Sequence, residues 1–83
     1  MTRDVTLYTR RLCGLCDEAA EELRLLRDEL GFTLAERDID EDPELAARYN
    51  DIVPVIEADG RVVAHAPVDI ASLRAALSAV LGA

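Results

Sequence analysis

Hydrophobic and polar positions change rhythm several times along this chain, and each change marks an element. Val5-Thr6-Leu7-Tyr8 is a strand-like run in which successive side chains alternate, and it predicts a first strand over about Val5 to Thr9. From Gly14 to Leu30 the period lengthens. Cys16, Ala19, Leu23, Leu26 and Leu30 recur at helical steps along one face, while Asp17, Glu18, Glu21, Glu22, Arg24 and Asp28 take the others. Gly31 is suited to end that helix. A second strand follows over about Phe32 to Asp38. Asp42-Pro43 reads as an N-cap and a proline at the first helical position, opening a short helix to about Tyr49 that breaks at Asn50-Asp51. Pro54-Val55-Ile56-Glu57 and Arg61-Val62-Val63-Ala64 read as strands around an Asp59-Gly60 hairpin turn. Asp69 or Pro67 opens a last helix, with Ile70, Leu73, Leu77, Val80 and Leu81 on its apolar face and Gly82 at its end.

The order is therefore β-α-β-α-β-β-α. Two strands joined through a helix should run parallel with a right-handed crossover, whereas the hairpin must be antiparallel. An α/β domain with a four-stranded mixed sheet and helices on both faces is expected. Strand two should lie beside strand one and the hairpin on strand one's other side. With 83 residues, 51% of them hydrophobic, there is material for one core and one domain, residues 1–83.

Charge narrows the functional classes. The formal net charge is −8, which argues against non-specific nucleic-acid binding. No apolar stretch is long enough to span a membrane. Met1-Thr2-Arg3-Asp4 is expected to run straight into a strand, with no signal-peptide core. A cytoplasmic monomer in a reducing compartment is the resulting expectation.

In that compartment the only two cysteines, in Cys13-Gly14-Leu15-Cys16, carry chemistry more often than structure. A bond between them closes almost no loop, so it would add little as a staple. Cys13 falls at a helix N-terminus, where backbone N–H groups and the helix dipole favour a thiolate. It is the candidate nucleophile, more exposed than Cys16. Cys16 lies on the apolar face and is the candidate resolving thiol, with a share in the core. Arg10 and Arg11 bring positive charge nearby; Asp17 and Glu18 oppose the thiolate. Two thiolates are too few for a closed structural zinc site, and no metal site is expected. Tyr8 is expected to pack. His65, the lone histidine, is expected to be structural or simply exposed.

The segment Leu7-Tyr8-Thr9-Arg10-Arg11-Leu12-Cys13-Gly14-Leu15-Cys16, with Val53-Pro54 and Asp59-Gly60, resembles the glutaredoxin-like members of the thioredoxin superfamily. The run Asp38-Ile39-Asp40-Glu41-Asp42-Pro43-Glu44-Leu45 is similar to that of small bacterial glutaredoxin-like proteins. The resemblance covers almost the whole chain and implies a thioredoxin-like fold. It also implies a cis Val53–Pro54 bond beside the cysteines, with Val53 offering its main chain to glutathione or a substrate peptide. Arg10 matches a basic residue that can hold a carboxylate of a thiol peptide; a solvated surface arginine is the ordinary alternative. Gly14-Leu15 between the cysteines, Ile52 before Val53, and Ala64-His65 after the hairpin depart from the family's glutathione pattern, so glutathione is expected to bind weakly and no cofactor tightly. The expected activity is thiol–disulfide oxidoreduction at Cys13 and Cys16, with Arg10, Val53 and Pro54 contacting substrate. The partners would be a disulfide-containing protein or small thiol and a reductant, glutathione or a thioredoxin-reductase system. An iron–sulfur cluster carrier and a redox-inactive binding module remain as alternatives.

Overall fold

The computed structural model describes residues 3–82; Met1 and Thr2, which begin the run expected to lead into strand one, and Ala83 lie outside them. The elements are β1 (Asp4–Thr9), α1 (Gly14–Leu30), β2 (Thr33–Asp38), a 3-10 turn (Ile39–Glu41), α2 (Pro43–Tyr49), β3 (Val55–Ala58), β4 (Arg61–His65), a second 3-10 turn (Ile70–Ser72) and α3 (Leu73–Leu81). The sheet order is β2-β1-β3-β4. β1 pairs parallel with β2 and antiparallel with β3, and β3 pairs antiparallel with β4. This is the expected mixed sheet, with strand one in its interior.

Strand alternation divides the core into two clusters. Val5 and Leu7 on β1 join Ile56 and Ala58 on β3, packed with Ala19, Leu23 and Leu26 of α1 and with Leu73 and Leu77 of α3. Tyr8, next after Leu7, and Val55, next before Ile56, point the opposite way and join Ile39, Leu45 and Tyr49 on the other face. Burying one such leucine or isoleucine contributes about 1.5–3 kcal/mol relative to leaving it in water. Exposed ion pairs link the periphery and add far less. Arg24 of α1 holds Glu36 of β2 through two bonds of 3.0 and 2.7 Å, and Arg74 of α3 pairs with Glu29 of α1.

Local chemistry explains the element ends. Gly31 takes φ 75°, and its N–H closes on the carbonyl of Arg27, ending α1 in a left-handed cap. Asp42 caps α2 by accepting from the N–H of Glu44, with Pro43 behind it. Asp59 and Gly60 both have positive φ, 53° and 75°, which is the backbone a two-residue hairpin favours.

Several boundaries differ from the sequence reading. β1 opens at Asp4, and β2 begins at Thr33 because Phe32 turns into the core. Pro54 has no N–H to give a ladder, and β3 starts after it and runs on to Ala58. β4 reaches His65, with a bulge opposite Ile56 and Glu57 that lets Val63 and Ala64 both pack on the larger cluster. Asp69, not Pro67, is the helix-opening residue, and it caps a 3-10 turn through the N–H of Ala71 before α3 begins at Leu73.

Candidate active site at the end of the central strands

Sheet register brings two distant segments to one edge. Tyr8 of β1 faces Val55 of β3, so one step outward Thr9 lies beside Pro54. Beyond Thr9 the chain turns through Arg10-Arg11-Leu12 into α1; before Pro54 it arrives from α2 through Ile52 and Val53.

Cys13 is the N-cap of α1, with extended backbone at φ −119° and ψ 103°. Its Sγ accepts the N–H of Cys16 at 3.2 Å, and its carbonyl accepts the N–H of Asp17 at 3.1 Å. The sulfur thus takes the role that a capping oxygen usually fills. Cys13 and Cys16 are disulfide-bonded with their Cα atoms 5.2 Å apart. Their environments differ: Cys13 is half-buried, whereas Cys16 is 0% exposed on the inner face of α1. Cys13 is the more accessible of the two.

Arg10 is engaged within the protein. Its Nε and Nη2 donate to the two carboxylate oxygens of Asp40 at 3.0 and 2.9 Å. Nη2 also donates to Asn50 Oδ1 at 2.7 Å, and Nη1 to the Asn50 carbonyl at 3.3 Å. The bond to Arg10 pulls the Asp40 carboxyl below the usual carboxylate range and raises the guanidinium in turn. One side chain therefore ties the loop before Cys13 to the turn after β2 and to the residue that ends α2. Arg11 is exposed and makes no ion pair among the described residues. Of the two arginines read as sources of positive charge for Cys13, only Arg11 is free to serve a ligand unaltered.

The Val53–Pro54 bond is cis, and Pro54 is buried. The backbone around Val53 is pinned: the N–H of Ile52 donates to Tyr49 O, and Ile52 O accepts from Ala66 N–H, both at 3.0 Å. Val53 itself makes no backbone hydrogen bond among the described residues. Beneath this segment Tyr8 and Tyr49 pack with ring centroids 4.9 Å apart, and burial, followed by the nearby Glu57, raises the Tyr8 phenol. His65 is exposed, with Nδ1 2.8 Å from the carbonyl of Ala66.

Three residues of this region escape sequence reasoning. Asp40 and Asn50 lie 30 and 40 positions from Arg10, inside an acidic run and at a helix end, where nothing marks them as its partners. Leu12, next to the candidate nucleophile, is 104% exposed and has a positive φ of 57°. A cavity of about 360 Å³ lies beside the loop, lined among others by Arg11, Asp17, Glu21, Arg24 and Asp38; neither sulfur lines it. Among the described residues no group of three or more His, Cys, Asp or Glu side chains could hold a metal ion.

Known proteins share this architecture. The model of the Glutaredoxin-like domain (DUF836) family matches residues 4–78. The Mycobacterium tuberculosis protein Rv0508, itself uncharacterized, is 40% identical over 76 residues, covering 86% of this chain and 78% of its own. Among solved structures, protein XcR50 from X. campestris superposes with a TM-score of 0.74 at 38% identity, covering 90% of this chain and 96% of that one. Protein Ne2328 from Nitrosomonas europaea gives 0.72 at 32% identity, covering 99% and 89%. A mutant thioredoxin from Halobacterium salinarum gives 0.71 at 24% identity, covering 95% and 74%, and shares the fold. No helix among the described residues is long and apolar enough to cross a membrane.

Proposed function

Since the chain belongs to the glutaredoxin-like domain family, with a thioredoxin-like fold and a Cys-x-x-Cys pair, we propose that it is a thiol–disulfide oxidoreductase acting through Cys13 and Cys16. The observation that carries this reading is the asymmetry of the two sulfurs, one at the open N-terminus of α1 and the other wholly buried. In the reduced protein the Cys16 N–H and the N-terminus of α1 favour negative charge on Cys13 Sγ. The thiolate attacks one sulfur of a substrate disulfide. A mixed disulfide forms and the first substrate thiol leaves with a proton. Cys16, as thiolate, then attacks Cys13 Sγ, forming the intramolecular disulfide and releasing the second thiol. Two electrons pass from protein to substrate, and the dithiol is restored by a reductant, glutathione or a thioredoxin-reductase system.

Val53 supports the same reading. Its main chain is free while its neighbours are fixed, so an extended segment carrying the target cysteine can pair with it as an added strand. Arg10, engaged with Asp40 and Asn50, serves better to hold the Cys13 loop than to receive a ligand carboxylate, and weak glutathione binding follows.

The test is a pair of variants. Cys13→Ser should abolish disulfide reduction. Cys16→Ser should accumulate a mixed disulfide at Cys13, visible as a mass increase equal to the substrate thiol less two hydrogen atoms. In the reduced wild type Cys13 should be alkylated well before Cys16. Full activity in Cys13→Ser, or faster alkylation of Cys16, would overturn the assignment. If neither variant altered any thiol exchange, the binding-module reading would replace it.

A further inference from the structure

Leu12 has two features that folding alone does not account for. The side chain is 104% exposed, so it contributes no core contact. Its φ is 57°, in the left-handed region where a bulky L-residue is uncommon and costs roughly 1–2 kcal/mol. Single exposed leucines are ordinary on protein surfaces; an exposed leucine held in a disfavoured backbone region, next to a candidate nucleophile, is not.

The surrounding charges complete the picture. Arg10 spends four of its five N–H donors on Asp40 and Asn50. A ligand carboxylate would have to displace Asp40 to reach it. Asp17, Glu18, Asp38, Asp40 and Asp51 lie on the segments that build this end of the sheet, in a chain of net charge −8. Of the arginines near this end, Arg11 and Arg48 stand outside the ion pairs among the described residues, and Arg48 lies over the Tyr49 ring; the carboxylates outnumber them, so an acidic ligand is repelled.

We infer that Leu12 is a specificity-determining residue. The preferred substrate is a disulfide in an extended protein segment whose cysteine has apolar neighbours, which seat on Leu12 while the segment's backbone pairs with Val53. Acidic thiol peptides are discriminated against. This inference deepens the oxidoreductase reading and rests on it. The chemical step is the exchange described above.

The experiment uses pre-reduced protein in single turnovers against three symmetrical disulfides: bis(2-hydroxyethyl) disulfide and the dimers of two short peptides, one with Leu-Cys-Leu and one with Asp-Cys-Asp at its centre. Each rate is divided by that of dithiothreitol with the same disulfide, which removes intrinsic reactivity. The wild type should favour the apolar peptide over the acidic one. Leu12→Asn should lower the apolar-peptide rate roughly tenfold, the scale of one apolar side chain removed from water, and leave the hydroxyethyl rate unchanged. Asparagine tolerates a left-handed backbone, so this variant should melt no lower than the wild type. Reduction of bis(2-hydroxyethyl) disulfide without an apolar preference, or an apolar preference that survives Leu12→Asn, would overturn the inference and leave the oxidoreductase reading intact. Failure of the wild type to reduce any of the three would overturn both.

Discussion

The two ends of α1 allow one chemical change to be tested in opposite directions. Gly14 is the first helical residue, between the cysteines, and Gly31 is the left-handed cap at the other end. A methyl group added at either position meets no heavy atom within 4 Å, so packing drops out of the comparison and backbone conformation decides. Only Gly31 has a positive φ, 75°. At Gly14 the native backbone suits alanine, and the substitution reduces the freedom of the unfolded chain; Gly14→Ala should stabilise by about 0.4–1 kcal/mol. At Gly31 the same substitution forces alanine into the left-handed region, and Gly31→Ala should destabilise by roughly 1–2 kcal/mol. For a domain of this length about 1 kcal/mol moves the melting midpoint by roughly 4–8 °C. The variants should therefore melt on opposite sides of the wild type, in circular-dichroism scans with the disulfide kept oxidised. Because the Gly14 position is open, Gly14→Ala should also leave thiol exchange nearly unchanged. If both variants shifted the same way by similar amounts, backbone conformation would not be the controlling quantity, and the cap geometry of α1 would be wrong.

Two further outcomes can be checked directly. Leu23 is 0% exposed at the centre of the larger cluster, so Leu23→Ala should cost about 2–5 kcal/mol in urea unfolding, where a cost under about 1 kcal/mol would mean that the site is not packed. The Asp40 carboxyl is held low by its bond to Arg10, so the ion pair contributes fully above the ordinary carboxylate range and is lost as pH falls through the depressed folded value. Amide exchange in the Arg10–Leu12 loop, corrected for its intrinsic pH dependence, should accordingly lose protection on acidification, and Asp40→Asn should remove that pH dependence.

Much of this architecture is legible in the sequence because its signals are periodic or stereochemical. The spacing of Cys16, Ala19, Leu23 and Leu26 gives the buried face of α1 directly. Gly31, Asp42-Pro43 and Asp59-Gly60 mark element ends through the conformations those residues favour. The short Ile39–Glu41 turn has no period to read, and Ile39 reveals its role only when it is buried against Tyr8 and Tyr49. Cys13 and Cys16 are legible as a pair from spacing, and their unequal exposure follows from where the helix starts. The clasp on Arg10 is not legible, since its partners come from two remote turns that meet only after β1 has paired with β2 and β3. Nor does a leucine announce a left-handed backbone, because the conformation at Leu12 runs against the preference of the residue.

Arg10 can act on Cys13, the proposed nucleophile, through charge or through geometry, and one substitution separates the two. The residues Arg10-Arg11-Leu12 make no backbone-to-backbone hydrogen bond among the described residues, so the fork of Arg10 on Asp40 and Asn50 is the loop's polar anchor. Lysine keeps the positive charge but offers a single ammonium on a flexible stem, and it cannot span a carboxylate and an amide in one plane. If charge were the controlling factor, Arg10→Lys would leave both the pH dependence of Cys13 alkylation and disulfide reduction close to wild type. If geometry controls, the alkylation midpoint should stay within a few tenths of a pH unit, since the net charge is conserved, while amide exchange across Arg10–Leu12 quickens. Reduction of a peptide disulfide should then slow more than that of a small neutral one, because the longer substrate must meet Cys13 and the Val53 backbone together. The occupied guanidinium favours the second outcome. A variant that shifted the alkylation midpoint strongly while keeping the loop protected would assign Arg10 to charge instead.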